Sequence, residues 1–264
     1  MNFDIGDAVR LPTDWNPTVG SLRDRVVLIV GAAGALGNAS ALAAAQAGAR
    51  VVLLGRKPRA LEKIYDEIEA AHPGLAAIYP LDLSGATPQH YADLAATIAR
   101  EYTRLDGIIF AAADFDGLQP LADIKRDAWL RVLQVNLNAP FLLIRACADL
   151  LQGSPAAASA RTTDASLVFV LDDPGRVGKA FWGAYGVSKF ALAGLVSILH
   201  EEWESSHVRV HALLPEPMRS MLRRTAYFGE NTLALPNADR AAQAVVYLLG
   251  DDGNGARGRI LDLR

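Results

Sequence analysis

The chain has 264 residues, 51% of them hydrophobic, and a formal net charge of -3. A chain of this length can bury a core of its own, and its charge offers no basic surface for nucleic acid. The single cysteine excludes a disulfide framework and a cysteine-rich metal site, which fits a reducing compartment. The sequence contains neither a signal peptide nor a run of about 20 apolar residues. We therefore expect a cytoplasmic protein that binds neither nucleic acid nor a membrane.

The first predicted strand and the turn after it carry the most informative pattern. Residues 1–25 are polar and contain two prolines, which predicts an extended arm before a domain of residues 26–264. The domain begins with Val26–Val30, an aliphatic run typical of a parallel strand covered on both faces. Three glycines follow the strand, namely Gly31, Gly34 and Gly37. Such glycines permit a tight turn, admit a pyrophosphate and bring a helix close to the strand, although an ordinary strand-to-helix turn has the same pattern.

The remaining chain alternates strand and helix patterns with short connections. Aliphatic runs predict six further strands, at 50–55, 75–81, 107–113, 166–171, 208–214 and 259–263. Helical patterns occur at about 36–47, from Pro58 onward, and at 88–103, 126–151, 183–204 and 239–249, with Pro140 kinking or dividing the fourth. Residues 153–164 are predicted to form a mobile loop. The alternation indicates one α/β domain, a Rossmann-type doubly wound parallel sheet that binds ligands beyond the carboxyl ends of its strands.

Two cations follow the second predicted strand, where the adenosine ribose of a dinucleotide would lie. A carboxylate there would bind the free 2′-hydroxyl of NAD, whereas Arg56 and Lys57 suit the 2′-phosphate of NADP. The alternative is that both are solvated charges at the start of a helix. If a dinucleotide binds, we therefore expect NADP rather than NAD.

Tyr185 and Lys189 are four residues apart in a predicted helix, so their side chains share one face of it. An ammonium group near a phenol favours the phenolate and lowers the pKa of the tyrosine toward a range useful for proton transfer. This spacing alone is common by chance. Its position after the fifth strand, in a chain whose first strand ends in a glycine-rich turn, makes it more specific.

The chain resembles the short-chain dehydrogenase/reductase family from about residue 22 onward. The segments that carry the resemblance are the glycine turn 31–37, Leu53-Leu-Gly-Arg56, Leu81-Asp-Leu83, Leu105-Asp-Gly107, Gln134-Val-Asn-Leu-Asn-Ala139 and Trp182-Gly-Ala-Tyr-Gly-Val-Ser-Lys-Phe190. Within the family the chain is similar to the YciK-like branch, through Gly175-Arg-Val-Gly178, Trp182-Gly-Ala-Tyr185 and Leu249-Gly-Asp-Asp252.

The resemblance implies a Rossmann-fold oxidoreductase that uses NAD(P). It makes Tyr185 the acid/base, and Lys189 the residue that holds the nicotinamide ribose and tunes Tyr185. Asn136 would help to order a proton-relay water, and Asp172 takes the remaining catalytic position. The implied cofactor contacts are Gly31, Ala33, Gly34, Leu36, Gly37, Arg56, Asp82, Leu83, Ala111 and Pro215. The histidines show no metal-ligand spacing, so no metal is expected.

The chain departs from the family pattern at Asp172, which stands where the family has a serine that donates to the substrate carbonyl oxygen. An ionised carboxylate only accepts hydrogen bonds, so it would repel a developing oxyanion and raise the pKa of Tyr185. At roughly 4 Å and an effective dielectric of about 20, this repulsion is about 4 kcal/mol. A neutral carboxyl group could instead donate. Further departures are Ala111 in place of an asparagine and Glu216 in place of a glycine.

These departures leave two functions open. The first is an NADP-dependent oxidoreductase that interconverts a small carbonyl compound and an alcohol by hydride transfer, with Tyr185 as acid/base and Lys189 as its partner. The second is a catalytically weak or silent relative that binds a nucleotide or a protein partner. In either case the resemblance implies a homodimer or homotetramer formed through the helices near 126–151 and 183–204.

Residues 217–236 lie where the family keeps its substrate lid. They combine apolar side chains with three arginines, Arg219, Arg223 and Arg224. One interpretation is a lid that offers cations to an anionic or amphiphilic substrate. The favoured interpretation is a short amphipathic surface helix whose arginines are solvated.

Overall fold

Seven strands form one parallel sheet in the computed structural model, which describes residues 8–153 and 164–264. The strands are β1 Val26–Val30, β2 Arg50–Gly55, β3 Ala76–Pro80, β4 Gly107–Phe110, β5 Ala165–Val170, β6 Val208–Leu214 and β7 Ile260–Asp262. Their spatial order is β3-β2-β1-β4-β5-β6-β7, and each neighbouring pair is parallel. The predicted doubly wound α/β sheet is therefore confirmed. Its order reverses between β1 and β4, which is where such sheets bind ligands.

Helices connect the strands at nearly the predicted positions. In the described residues they are α1 Ala35–Gln46, α2 Pro58–Ala71, α3 Pro88–Tyr102, α4 Arg126–Leu133, α5 Ala139–Gln152, α6 Pro174–Val177, α7 Gly183–Glu202, α8 Met221–Ala226 and α9 Asp239–Leu249. Short 3-10 turns lie at Leu121–Asp123, Thr232–Ala234 and Asp251–Ala256. None of these helices is long and apolar enough to cross a membrane.

The sheet is buried between two layers of helices. Val26, Leu28 and Val30 point toward a layer that contains α3, α5 and α7, while Val27 and Ile29 point toward α1, α2 and α9. Every residue of β1 is buried, which explains why its sequence is continuously aliphatic rather than alternating. Both faces are therefore occupied by helices, and the carboxyl ends of the strands form the edge available for ligands.

The structure divides the fourth predicted helix just before Pro140. A π-helical segment, Gln134–Asn138, separates α4 from α5, and the Ala139 N–H bonds the carbonyl of Gln134, five residues earlier. Proline has no N–H for the carbonyl four residues before it, so an ordinary helical turn loses a hydrogen bond here. The π-helical turn, which is wider than an α-helical one, lies just before this proline. π-Helical segments of this kind are frequent at functional sites.

The strand β4 is shorter than predicted and ends at Phe110. The Ala111 N–H still bonds the Val30 carbonyl at 3.0 Å, and the chain then passes directly over the turn that follows β1. A Cβ on Gly31 would lie 2.6 Å from the backbone of Ala112. The close crossing ends the strand and brings the segment after β4 against the glycine turn.

The described part of the N-terminal arm packs on the domain. Val9 bridges to Leu261 beside β7, and the Trp15 ring meets the edge of Tyr247 at 5.2 Å. Leu22 is completely buried. Residues 1–7 and 154–163, which include most of the predicted mobile loop, lie outside the described residues.

Candidate active site

The three glycines after β1 differ in what they allow. Gly31 has φ +88°, and a Cβ on Gly37 would lie 2.2 Å from the Gly31 carbonyl oxygen, so both positions require glycine for backbone to approach backbone. At Gly34 a Cβ would meet that oxygen at 3.3 Å, and Gly34 itself is exposed. Among the described residues no side chain caps α1 there. The first turn of α1 therefore begins at exposed residues and, within the described ranges, has no side-chain cap, which fits a pyrophosphate.

The other implied cofactor residues lie at the same edge of the sheet. Arg56 follows β2 and is exposed, and Leu83 is buried after β3. The Asp82 carboxylate accepts hydrogen bonds from the Ser84 N–H and hydroxyl, which lower the pKa of Asp82. The remaining members flank the ends of β1, β4 and β6: Ala33, Leu36, Ala111 and Pro215. The fold thus gathers these segments around the switch point.

Tyr185 and Lys189 lie together on α7, as their spacing predicts. Both are buried, and the Lys189 ammonium is 5.6 Å from the centre of the Tyr185 ring and donates to the Val170 carbonyl at 2.8 Å. Burial lowers the pKa of Lys189 to about 8. The pKa of Tyr185 lies well above its usual value, first because of burial and then because of Asp172. The pKa of Tyr185 is thus raised rather than lowered, and the cation that opposes this rise is Arg176.

Asp172 follows β5 and binds the Tyr185 hydroxyl. The phenol donates to Oδ2 of Asp172 at 2.7 Å, while Oδ1 accepts the Asp173 N–H at 2.7 Å and the guanidinium of Arg176. All three groups donate to the carboxyl oxygens, and Arg176 forms an ion pair with them. A carboxylate that only accepts matches this arrangement. The contacts therefore favour a third arrangement, beside a neutral Asp172 and a catalytically silent protein. In this arrangement Asp172 is ionised and paired with Arg176.

The second aspartate, Asp173, points away from Tyr185. Its carboxylate accepts the Gly175 N–H at 2.9 Å, which caps α6, and it pairs with Arg264 at 2.7 Å. The charge of Asp173 is therefore balanced outside the site.

Comparisons with known proteins agree with this architecture. A family model described as short chain dehydrogenase matches residues 25–230. The chain belongs to this family. It is 33% identical over 248 residues to the uncharacterized oxidoreductase YciK of Escherichia coli K12. The alignment covers 94% of this chain and 95% of that protein. The resemblance to the family and to YciK is thereby confirmed.

Solved structures of similar short chain dehydrogenases have the same fold. One from Pseudomonas syringae is 38% identical with a TM-score of 0.87 and covers 95% of this chain and 99% of its own. One from Shigella flexneri, complexed with NADP, is 31% identical with a TM-score of 0.85. The match covers 93% of this chain and 99% of that chain. One from Escherichia coli CFT073, complexed with NADPH, is 32% identical with a TM-score of 0.85 and the same coverage.

Asn136 of this short chain dehydrogenase is buried in the π-helical segment. Its amide donates to the Asp114 carbonyl at 3.0 Å and to the Ser188 hydroxyl at 2.9 Å, and its oxygen accepts the Asp114 N–H at 2.7 Å. The side chain therefore ties the segment after β4 to α7, next to Tyr185. Its part in ordering a water molecule stays a prediction.

Aromatic side chains surround the Tyr185 ring. Phe115 meets it edge-on at 5.3 Å, and Trp182 lies 5.8 Å away and 6.3 Å from Tyr227. Sequence reasoning missed the roles of Arg176 and Phe115. Arg176 was detectable, because it lies four residues after Asp172, the spacing of a helical ion pair. Phe115 carries no such signal, because its contacts are made across separate elements.

The predicted lid is held by contacts within its own segment and by the packing of Tyr227 near Trp182 and Arg176. Arg223 pairs with Glu230 at 2.6 Å and covers the Tyr227 ring at 4.1 Å, while Arg219 donates to the Leu233 carbonyl at 2.9 Å. Ser220 caps α8 by accepting the Arg223 N–H at 3.1 Å. Arg224 alone among the three arginines is exposed without such a contact in the described part of the chain. Arg223 is therefore paired rather than solvated, and the interpretation of the segment as a lid stays a prediction.

Proposed function

We propose that this protein is an NADP-dependent oxidoreductase that interconverts a carbonyl compound and an alcohol, with Tyr185 as acid/base and Lys189 as its partner. The observation that carries the proposal is their placement together on α7, buried beside the sheet edge at which the glycine turn is open. Membership of the short chain dehydrogenase family supports the same reaction class.

The residues present fit a dinucleotide. The open first turn of α1 would hold the pyrophosphate, and Arg56 would bind the 2′-phosphate of NADP. Asp82 and Leu83 would flank the adenine, and Lys189 would hold the nicotinamide ribose. Two similar structures contain NADP or NADPH, which supports NADP rather than NAD.

When bound, the reduced cofactor supplies a hydride to the carbonyl carbon. The Tyr185 hydroxyl donates its proton to the carbonyl oxygen as the C=O double bond is reduced, which leaves an alcohol and a phenolate. Lys189 stabilises this phenolate through its charge until a proton from solvent restores the phenol. In the reverse direction the phenolate takes the proton of the alcohol. The aromatic side chains around Tyr185 exclude water from the transfer.

The proposal is tested by titrating the protein with NADPH and with NADH, followed by a panel of ketones and aldehydes at acidic and neutral pH. We expect micromolar binding of NADPH, weaker binding of NADH and NADPH consumption with part of the panel. Binding without any turnover would favour the catalytically silent alternative. Absence of binding would reject the proposed reaction and leave only the alternative that binds a protein partner.

Changing Arg56→Ala is expected to weaken NADPH binding about tenfold and to leave NADH binding unchanged. The guanidinium would make a charge-assisted hydrogen bond to the 2′-phosphate that NADH lacks, and such a bond contributes about 1.5–3 kcal/mol. Fluorescence titration measures both affinities. The matched control is Arg59→Ala, which removes an exposed arginine from the first turn of α2, the helix that begins just after Arg56. Equal losses for the two cofactors would contradict the role of Arg56.

The silent alternative has one observation in its favour. The Tyr185 hydroxyl is already bound to Asp172, and the residue is 4% exposed. A substrate must therefore compete with Asp172 for the phenol proton.

We also propose that the protein self-associates through α4, α5 and α7. These helices expose large apolar side chains, with 49% of Leu130, 49% of Phe141 and 61% of Ile198 accessible. Exposed apolar surface of this kind marks interaction sites. Light scattering after size-exclusion chromatography distinguishes the dimer or tetramer expected from a monomer.

A further inference from the structure

Arg176 is held on several sides at the carboxylate that faces Tyr185. Its guanidinium binds Oδ1 of Asp172, lies 4.9 Å from the centre of the Trp182 ring and 5.9 Å from that of Tyr227. A guanidinium stacked on aromatic faces and bound to a carboxylate has little freedom. With 23% of its side chain exposed, it is neither a solvated surface charge nor fully buried.

The charge balance around Tyr185 depends on this arginine. Charged groups on the neighbouring elements pair with one another, namely Asp173 with Arg264, Arg223 with Glu230, and Arg131 with Asp114. At the centre of the site, the Asp172 carboxylate binds both the Tyr185 hydroxyl and Arg176, and the Lys189 ammonium lies 5.6 Å from the centre of the Tyr185 ring. The two cations and the one anion leave a net positive charge beside the phenol, as a lysine beside a neutral residue would.

We infer that Arg176 is a positioning residue that balances the charge of Asp172, so that a carboxylate next to Tyr185 is compatible with negative charge developing on a substrate oxygen. The inference rests on the proposed function, because it assigns Arg176 a part in the same site. Without Arg176, Asp172 would face the developing oxyanion unbalanced. With it, the pair replaces the neutral group that the family has at this position.

A double-mutant cycle tests the inference through activity. Arg176→Gln is expected to lower kcat for NADPH-dependent reduction about 100-fold, the size of effect that follows loss of an electrostatic contact at an oxyanion. In an Asp172→Asn background, where no anion needs balancing, the same change is expected to cost less than about fivefold. Arg176→Lys keeps the charge and should lose less than about tenfold. The control is Arg100→Gln, which removes an exposed arginine from α3, outside the site.

The ionisation of Tyr185 supplies a readout that needs neither cofactor nor substrate. Tyrosinate absorbance is titrated with pH, and each protein is compared with its Tyr185→Phe counterpart to isolate this phenol. Asp172→Asn should let Tyr185 ionise at lower pH than in the wild type, because an anion is removed. Adding Arg176→Gln should move the ionisation back up by about one pH unit, because a cation next to the phenol is lost.

The outcomes separate the two proposals. A loss from Arg176→Gln that is equal in both backgrounds would overturn the inference, since Arg176 would then act independently of Asp172. So would earlier ionisation of Tyr185 after Arg176→Gln, which indicates loosened packing rather than a lost charge. Thermal unfolding of each variant identifies one that fails to fold. If no carbonyl compound is reduced but the variants shift the ionisation of Tyr185 as expected, the proposed reaction is rejected. The inference that Arg176 balances the charge of Asp172 is then still supported.

Discussion

Replacing Tyr185 with phenylalanine is expected to lower kcat for carbonyl reduction by about 10²- to 10⁴-fold, the range that general acid–base catalysis contributes. The ring contacts with Phe115 and Trp182 remain, and only the hydroxyl that donates to Asp172 is lost. NADPH binding should therefore be unchanged. Steady-state kinetics and a fluorescence titration measure the two effects separately.

The matched control is Tyr247→Phe, a phenol on α9 that packs against Trp15 in the opposite helical layer. It should retain the wild-type rate. If Tyr185→Phe retained that rate as well, another group would have to supply the proton, and the proposed role of Tyr185 would be lost. If it left the function of the protein in the cell intact while NADPH still bound, the catalytically silent alternative would be favoured.

The second large effect is expected from Gly37→Ala, which should lower the free energy of unfolding by about 3 kcal/mol. The new Cβ would lie 2.2 Å from the carbonyl oxygen and 2.8 Å from the carbonyl carbon of Gly31, and these backbone atoms cannot move without shifting β1 or α1. For a chain of this size the loss corresponds to a fall in Tm of roughly 6–12 °C. Denaturant and thermal unfolding measure it.

Gly34→Ala is the matched control within the same turn. Its Cβ would meet the Gly31 oxygen at 3.3 Å, a contact that small shifts relieve, so its effect on stability should stay below about 1 kcal/mol. Equal destabilisation by the two changes would contradict the division of roles among the glycines. Preserved stability in Gly37→Ala would contradict the close approach of α1 to the turn.

Residue patterns in the sequence were sufficient to predict the architecture. A strand buried on both faces has a continuous aliphatic run, and a helix that covers it has one apolar side, so β1, β2, β6 and α9 were predicted to within a residue or two at each end. The same patterns place Tyr185 and Lys189 on one helical face. The strands, the helices and the shared face of Tyr185 and Lys189 depend on residues close together in the chain, so the spacing of residues in the sequence predicts them directly.

The contacts between charged groups in the candidate site were decided by the tertiary structure. The sequence does not show what Asp172 contacts, and only the fold brings Arg176 and the Tyr185 hydroxyl to its two oxygens while turning Asp173 toward Arg264. The pKa of Tyr185 likewise follows from burial, which no spacing of a tyrosine and a lysine reveals. Electrostatic energies depend on distance and on exclusion of water, and both are set by residues that meet across separate elements. The sequence by itself thus determined the fold and the residues available for chemistry, and the packing of α6, α7 and the segment after β5 determined which charged groups meet.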